Sequence, residues 1–483
     1  MASPPTPQPP PPVDVDLGKL SYEIFSLLES NFLFGAGAGG GGVCSLPGTP
    51  GRAFLGGGGG GGKVRVLAID GCGPGPGDAL LAAAALVRLE TALREKAGDG
   101  DARVADFFDA AAGAGAGGVL AAMLFLKGAD GRPRYTAADA LAFVAASLGK
   151  GGWRGGGGGC GGGGRRWWGV AALFRRGSSA ERSSLRRVFG DATLRDTVAP
   201  LLVPCYDLAT AAPFLFSRAD AVESGSFDFR LRDVCAATCA GGAAATAVRS
   251  VDGRTAIAAA SGGVAAMGNP TAAAITHVLH NKQEFPLAAG VDDLLVVSIG
   301  SGSSSAATPS TAAGWRTPLP SRSPSPAEMV RLTAEGVADM VDQAVAMAFG
   351  HTCGRNYVRI QAASPAYKTK GLSSLDAKKA AAIADGMLTQ RNVEAELFRG
   401  RRLSEKSNRE KLDAFAAELV KEHERRRASP GLPNVVIKQV AAAAATPARL
   451  SSATTTSSAT ATTARTTVSS MPSPAASLDS GRH

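Results

Sequence analysis

Apolar positions in the middle of the chain fall into two alternating patterns. Short stretches are almost continuously apolar, which is typical of strands buried on both faces of a parallel sheet. These stretches are residues 63–70, 200–207, 255–260 and 293–300. Longer stretches repeat apolar residues at the helical period. They are residues 78–96, 137–148, 271–285 and 327–349. Strands that alternate with helices in this order predict an α/β fold with a mostly parallel central sheet flanked by helices.

The ends of the chain and one internal stretch lack such patterns. Proline dominates the first residues, and Ala, Ser and Thr dominate the last, so we predict disordered tails at 1–16 and 431–483. Glycine fills an insertion at 151–164. Residues 375–427 are strongly charged, and we expect them to be helical. The other predicted segments are an N-terminal helix with a glycine-rich linker at 17–62, a core at 63–305 and a C-terminal helical part of the same domain at 306–430.

The composition favours a folded protein with reduced cysteines. Hydrophobic residues make up 45% of the 483 residues and charged residues 19%, so the chain can bury a sizeable core. The seven cysteines include no CxxC pair, and Cys235 and Cys239 have no histidine beside them. We therefore predict reduced thiols, a cytoplasmic protein and no zinc site. The N-terminus lacks the basic region and apolar core of a signal peptide, so we do not expect secretion.

The formal net charge of +10 is compatible with binding to nucleic acid or to an anionic membrane. The charge alone does not distinguish these two kinds of partner. Arginines cluster at 399–402 and 425–427, where they would suit a membrane surface or a solvated helix face. The pair Trp167 and Trp168 follows two arginines and would suit a base-stacking platform or an apolar lid that faces lipid. We favour the lid, and with it peripheral contact with membranes and no nucleic-acid partner.

One apolar run, residues 110–126, raises the question of membrane insertion. It is close to the lower limit for a transmembrane helix, which is about 17 residues. However, it is rich in glycine and follows Asp106 and Asp109. A buried strand, a glycine turn and a buried helix explain it better, so we predict no transmembrane span.

Three glycine turns follow strands, where the sites of α/β sheets form. The first, at 70–77, does not match a dinucleotide fingerprint, because Pro76 stands where the last glycine would be. No phosphate-binding GxxxxGK[ST] motif occurs either. The turn does offer the N–H groups of Cys72 and Gly73 beside a helix start, which is an oxyanion-hole arrangement. A plain strand-to-helix turn remains the alternative.

The second turn, at 113–118, has glycines two apart between a strand and a helix. A nucleophile elbow requires this spacing, because the bend leaves no room for side chains beside its central residue. That central residue is Gly115, so the elbow holds no nucleophile. The third turn, at 260–271, leads into a helix that carries His277 and His280.

The three turns together resemble the patatin-like phospholipase family, which shows DGGGxRG, FDxxxGTSTGG and DGG followed by NNPT. The matching stretches are AIDGCGPGPG from residue 68, FFDAAAGAGAGG from residue 107 and ASGGVAAMGNPT from residue 260. Supporting matches are YDLATAAPFLF at 206–216, AATCAGGAA at 236–244, VVSIGSG at 296–302 and NYVRIQ at 356–361. The resemblance spans residues 17 to 420 and implies a patatin-like fold.

The resemblance also implies where the family's functional residues fall. Its catalytic serine falls on Gly115, its catalytic aspartate on Ser261, and the arginine of its oxyanion loop on Gly75. Cys72 and Gly73 take the oxyanion-hole positions. A plant subclass, the third class of patatin-related phospholipases, is similar in having glycine at the nucleophile position and in the stretch LSYEIFSLLESNFLFG at 20–35.

The activity implied by the resemblance is the release of fatty acids from phospholipids and galactolipids, at low turnover, with no metal and no other cofactor. The alternative is a catalytically dead, lipid-binding pseudoenzyme at membranes. The absence of both the catalytic serine and the catalytic aspartate favours this alternative. Other polar residues could in principle replace the missing groups. We predict that Asp252 is a turn residue. We also predict that His277 and His280 are a surface or capping pair on one helix. The serines at 301 and 303–305 form a polar loop after a strand, and we assign none of them as the nucleophile.

Overall fold

The apolar stretches form the strands that their pattern predicts. The computed structural model describes residues 62–71, 76–150, 179–240, 246–260, 267–300, 326–362, 377–396, 400–428 and 435–437. The strands are β1 (Val64–Ile69), β2 (Ala110–Gly113), β3 (Leu201–Asp207), β4 (Ala212–Ser217), β5 (Thr246–Arg249), β6 (Ala256–Ala260), β7 (Leu294–Ile299), β8 (Tyr357–Ile360), β9 (Arg391–Glu396) and β10 (Gly400–Ser407).

Helices separate most of these strands. They are α1 (Pro76–Ala97), α2 (Gly115–Phe125), α3 (Ala137–Lys150), α4 (Ser179–Phe189), α5 (Arg218–Glu223), α6 (Leu231–Thr238), α7 (Thr271–His280), α8 (Pro326–Phe349), α9 (Ala377–Thr389) and α10 (Asn408–Ala428). The helix predicted at 271–285 ends earlier, at His280, and a turn follows it.

Several predicted features lie outside the described residues. They are the N-terminal tail, the C-terminal tail apart from residues 435–437, the N-terminal helix, the glycine-rich insertion, Trp167 and Trp168, Cys72 and Gly73, Gly75, Ser261, and the serines between 301 and 305. At 435–437 the prediction of a disordered tail was wrong, because Val436 N donates to Glu284 O (2.7 Å) and Val435 packs against one of the two hydrophobic cores.

Eight of the described strands form one sheet in the order β5-β6-β3-β2-β1-β7-β8, with β4 also paired to β3. Its centre is parallel, because β3, β2, β1, β7 and β8 run in the same direction. The antiparallel pairs lie towards one edge, where β4 and β6 both pair with β3. The α/β architecture with a mostly parallel sheet and flanking helices is therefore confirmed.

Both faces of the central strands are covered by helices. Leu67 and Ile69 of β1 pack into one core with α1 and α2, whereas Val64 and Val66 pack into a second core with α7 and α8. Successive side chains of a strand point to opposite faces of the sheet. Because each face is buried, the strand needs apolar residues at consecutive positions, which is why its sequence does not alternate.

The apolar run at 110–126 is a strand, a turn and a helix, as predicted. It consists of β2, the turn residue Ala114 and α2, and it is buried throughout. In the described parts of the chain, no helix combines the length and the apolar character needed to cross a bilayer.

The prediction that residues 375–427 are helical was wrong in its middle part. There, β9 and β10 form an antiparallel hairpin between α9 and α10. Arg402 lies 2.9 Å from Glu394 and 3.6 Å from Glu396 across the hairpin. Opposite charges on facing strands stabilise such a ladder. The same charged residues resemble a solvated helix when only the linear pattern is considered.

The C-terminal helix α10 is held at the amino end of the sheet by a buried cluster of charges. Asp109, directly before β2, accepts hydrogen bonds from Arg65 (2.9 Å) and Arg426 (2.8 Å). Glu422 binds both Arg426 (3.1 Å) and Arg425 (2.6 Å). Arg426 therefore attaches the helix to the sheet, whereas Arg425 is paired with Glu422 within α10.

Candidate active site

The described residues of the three glycine turns lie at one edge of the sheet. Strands β1, β2 and β7 are parallel, so their carboxyl ends are side by side, and sites of parallel sheets form at this edge. Ala114 N donates to Ile69 O (3.1 Å), which brings the second turn beside the first. Gly71 N donates to Gly268 O (2.8 Å), which brings the third turn beside the first.

The second turn has the backbone of a strand-to-helix elbow. Strand β2 ends at Gly113, and α2 begins two residues later at Gly115. Gly115 has φ +52°, in the left-handed region that side chains disfavour. Its N–H donates to the hydroxyl of Thr238 (2.9 Å), and that hydroxyl donates to Pro204 O (2.7 Å). Thr238, at the end of α6, thus ties the apex of the elbow to β3.

Close backbone packing explains the glycines on either side of the apex. A Cβ atom on Gly117 would lie 2.3 Å from the carbonyl oxygen of Asp70. A Cβ atom on Gly113 would lie 2.4 Å from the carbonyl oxygen of Gly117. Side-chain carbons do not approach backbone oxygens so closely, so only glycine fits at both positions. The spacing that the sequence shows is therefore a packing requirement of the elbow.

Replacing Gly117 by alanine tests this packing. We expect Gly117→Ala to lower the free energy of unfolding by about 3 kcal/mol, because the new methyl group must displace backbone of β1. Gly386→Ala is the matched control, since a Cβ atom there meets nothing within 4 Å. Urea denaturation compares the two variants. Equal stability of the Gly117 variant and the unmodified chain would contradict the close approach.

A buried polar network lies beneath the same edge. Asp70, which follows β1, receives two hydrogen bonds from Arg359 of β8, at 2.8 and 2.5 Å. Arg359 also donates to Ser298 of β7 (2.6 Å), and the Ser298 hydroxyl lies 2.8 Å from that of Thr271, the first residue of α7. Burial lowers the pKa of Arg359, but the Asp70 carboxylate outweighs burial and raises it above its ordinary value. The network joins three strands and one helix.

A second buried side chain stands beside this network without a partner for its oxygen. Gln361 follows β8 and is only 8% exposed. Its Oε1 has no hydrogen-bond partner among the described residues. A Cβ atom built on Gly300, at the end of β7, would lie 1.6 Å from that oxygen and 3.0 Å from Arg359 Nη2. The absence of a side chain at Gly300 is what makes room for both groups.

The candidate replacement residues lie away from the elbow in sequence and have other contacts. Asp252 lies in the turn between β5 and β6, where it accepts hydrogen bonds from Ser250 (2.7 Å) and from Arg254 N (3.0 Å). It is therefore a turn residue. On α7, His277 packs edge-on against Phe285, and His280 is exposed. Among the described residues, no group of three His, Cys, Asp or Glu side chains is placed to hold a metal ion.

The catalytic roles assigned to Gly115, Ser261, Cys72 and Gly73 stay predictions. The structure describes Gly115, whereas the other three lie in segments that it does not describe. Sequence reasoning missed the role of Thr238 and that of the pair formed by Asp70 and Arg359. All three residues lie in stretches that carry the family resemblance, which is the one signal that pointed to them.

Comparison with known proteins agrees with this architecture. The family model described as "Patatin-like phospholipase" matches residues 67–275, which include the second half of β1 and the elbow. "Patatin-like protein 3" of Oryza sativa subsp. indica is 54% identical over 419 residues, covering 85% of this chain and 92% of the relative.

Two relatives from Arabidopsis thaliana extend the comparison. "Patatin-like protein 7" is 44% identical, over 88% of this chain and 85% of its own length. "Probable inactive patatin-like protein 9" is 41% identical, over 71% of this chain and 83% of its own length. Identity at this level over most of both chains, together with the α/β sheet and its elbow, shows that the chain belongs to the patatin-like phospholipase family.

Proposed function

We propose that the chain is a lipid acyl hydrolase that releases fatty acids from phospholipids and galactolipids at low turnover. The observation that carries the proposal is the elbow. Its apex, Gly115, is the first residue of α2 and lies at the carboxyl edge of the sheet with φ +52°. A helix start at this place favours the negative charge that develops when a carbonyl is attacked.

The chemistry we propose uses water as the attacking group, because the apex carries no hydroxyl. The water oxygen forms a bond to the ester carbonyl carbon, and the N–H groups of Cys72 and Gly73 hold the oxyanion. The bond to the alcohol oxygen then breaks, and the proton of the water passes to that oxygen. The products are a fatty acid and a lipid with one acyl chain fewer. Without a nucleophile and its base, what remains is a rate of the order of 10³- to 10⁴-fold over water.

A second candidate is a protein that binds lipid without hydrolysing it. Glycine at the apex and serine at the aspartate position favour it, and one similar relative is named "Probable inactive patatin-like protein 9". In this case the chain would only hold an acyl lipid at a membrane.

Fatty-acid release from phosphatidylcholine and from galactolipid separates the two candidates. We expect slow release by the purified chain, and less release by Gly73→Pro, which removes one oxyanion donor. Circular dichroism would show that the variant is folded. No release above a blank, with binding to lipid vesicles intact, would favour the binding protein and contradict the hydrolase.

Peripheral contact with membranes finds better support in α8 than in the arginine clusters. Arg401 and Arg402 at 399–402 are ion-paired within the fold, as are Arg425 and Arg426. In contrast, α8 carries a stripe of exposed apolar side chains on one face. Its members are Met329, Leu332, Val337, Met340 and Met347. We propose that this stripe lies against the lipid surface that supplies the substrate.

Charge introduced into the stripe tests this contact. Met340 is 69% exposed and Met347 64% exposed, so replacing both by glutamate costs the fold little. We expect Met340→Glu/Met347→Glu to bind galactolipid vesicles about tenfold more weakly in a flotation assay, because two carboxylates replace apolar contact. Val251→Glu, at a turn residue that is 51% exposed, is the control. Equal binding by the unmodified chain and both variants would exclude the stripe as the surface that contacts lipid.

A further inference from the structure

The hairpin that joins β3 to β4 has an uncharged tip, residues 208–213. The exposed members of the tip are Leu208, at 51% exposure, and Ala209, Thr210, Ala211 and Pro213. The charged residue that precedes the tip, Asp207, is only 4% exposed. Turns on a protein surface are typically polar, because they lie in water. A tip without charge and with an exposed leucine favours contact with an apolar partner.

The tip directs several of its polar groups into the fold. Asp207 accepts a hydrogen bond from Ala209 N at one carboxylate oxygen (3.1 Å) and from the Thr210 hydroxyl at the other (2.8 Å). Leu208 N donates to a carbonyl oxygen of β6 (2.9 Å). Polar groups that lack partners make entry into an apolar medium costly. These internal hydrogen bonds therefore lower the cost of moving the tip out of water.

Ala211 has a backbone conformation that alanine rarely adopts. Its φ is +53°, and among the described residues it is the one non-glycine residue with a positive φ. Glycine, asparagine and aspartate are the usual residues at such turn positions, because other side chains are strained there. The Tyr206 hydroxyl donates to Ala211 O (2.7 Å). A methyl group thus stands where turn chemistry favours a polar side chain or none.

The tip lies at the edge of the sheet that carries the elbow. Strand β3 runs parallel to its neighbour β2, and Leu202 is its last residue paired with β2. From Leu202 the strand continues for five residues to Asp207, which is about 16 Å at roughly 3.3 Å per residue. The tip therefore projects beyond the elbow on the same side of the molecule. A partner that receives the tip lies next to the elbow.

The size of the tip decides between two kinds of partner. A stable protein interface takes about 20–30 residues from each side, which is far more than residues 208–213 supply. A lipid surface, in contrast, accepts a few apolar side chains and needs no complementary shape. The tip has no basic side chain either, so it does not require anionic lipid.

We propose that the tip inserts into the apolar layer of a lipid membrane, with Leu208 as its main apolar contact. This surface is separate from the stripe on α8, and it turns the carboxyl edge of the sheet towards the membrane. Because the contact is apolar, it should persist at high salt. The inference rests on the proposed function only in taking a membrane as the partner.

Flotation of the full chain with phosphatidylcholine vesicles, in about 0.5 M salt, tests the proposal. We expect the unmodified chain to bind, and Leu208→Glu to bind about tenfold more weakly, the effect of withdrawing one leucine side chain from an apolar medium. Leu287→Glu is the matched control. It makes the same change at a residue that is 37% exposed, in the loop that leads into β7 at the opposite edge of the sheet, and it should bind like the unmodified chain.

A second variant keeps the test valid if Leu208→Glu does not fold. Asparagine tolerates the left-handed region, so Ala211→Asn should be at least as stable as the unmodified chain. Its polar amide should nevertheless weaken vesicle binding about threefold. Folded variants at 208 and 211 that bind as tightly as the unmodified chain would overturn the proposal. Binding that is abolished by salt would overturn it as well.

Two further measurements separate the proposal from its alternatives. Self-association of the unmodified chain in sedimentation, lost in Leu208→Glu, would make the tip an interface between copies and overturn the proposal. Fatty-acid release is measured on the same vesicles. Binding that depends on Leu208, without release, would support the tip and contradict the hydrolase. Release combined with binding that is independent of Leu208 would support the hydrolase and overturn the insertion of the tip.

Discussion

A chain with serine at 115 and aspartate at 261 should hydrolyse lipid esters far faster than the unmodified chain. We expect Gly115→Ser/Ser261→Asp to raise the rate of fatty-acid release at least about a thousandfold, since a nucleophile and its base together account for about a millionfold in a serine hydrolase. The elbow is already built, because β2, Gly113 and the start of α2 place residue 115 at its apex. The measurement is release from galactolipid micelles under initial-rate conditions.

The single variants are the controls for this gain. Gly115→Ser alone gains a hydroxyl without a base, and Ser261→Asp alone gains a base without a nucleophile, so each should remain close to the unmodified chain. Serine at φ +52° costs about 1–2 kcal/mol of stability, which circular dichroism during heating can detect. A folded double variant with no gain in rate would contradict the assignment of these two positions.

The second large effect concerns the charge cluster at the amino end of the sheet. We expect Asp109→Ala to lower the free energy of unfolding by about 3–5 kcal/mol, because the loss of one carboxylate leaves Arg65 and Arg426 buried without their shared partner. Asp106→Ala is the matched control. Its partner Arg132 is about half exposed, so we expect the loss of that pair to change the stability far less. Urea denaturation at neutral pH measures both.

The pH dependence of this effect has a definite sign. Burial alone would raise the pKa of Asp109, but the charges of Arg65 and Arg426 hold it below the ordinary value of 3.8. A depressed pKa stabilises the fold above the unfolded-state pKa, and that contribution is lost as the pH falls through the folded-state pKa. The stability difference between Asp109→Ala and the unmodified chain should therefore be constant above about pH 5 and shrink in stronger acid. A difference that grows in acid would contradict the ion pairs.

The sequence predicted those parts of the fold that a local pattern specifies. Strand β1 is apolar at consecutive positions because both of its faces are buried, and this pattern is visible without the structure. The elbow is visible as a spacing of glycines, because Gly113 is required by a contact with the nearby Gly117, although Gly117 is itself required by the backbone of the distant Asp70. The hairpin of β9 and β10 was missed because charged residues such as Arg402 and Glu394 face each other across it, and its sequence lacks the apolar pattern of a buried strand.

The polar contacts at the site could not be predicted in the same way. Asp70 and Arg359 are 289 residues apart and meet only because β7 lies between β1 and β8 in the sheet. Thr238 supports the apex of the elbow from 123 residues away. No spacing in the sequence reports such pairs. The stretches that resemble the family contain all of these residues, so the resemblance indicated where to look but not what the contacts are.

Fatty-acid release in the presence of a serine-reactive fluorophosphonate tests the central claim most directly. The claim is that this elbow, with glycine at its apex, supports slow hydrolysis of lipid acyl esters by water. We predict slow release from galactolipid micelles that the fluorophosphonate leaves unchanged, whereas the same reagent inhibits Gly115→Ser/Ser261→Asp. Release that the reagent abolishes in the unmodified chain would reveal a serine nucleophile and contradict the account, as would the absence of any release above a blank.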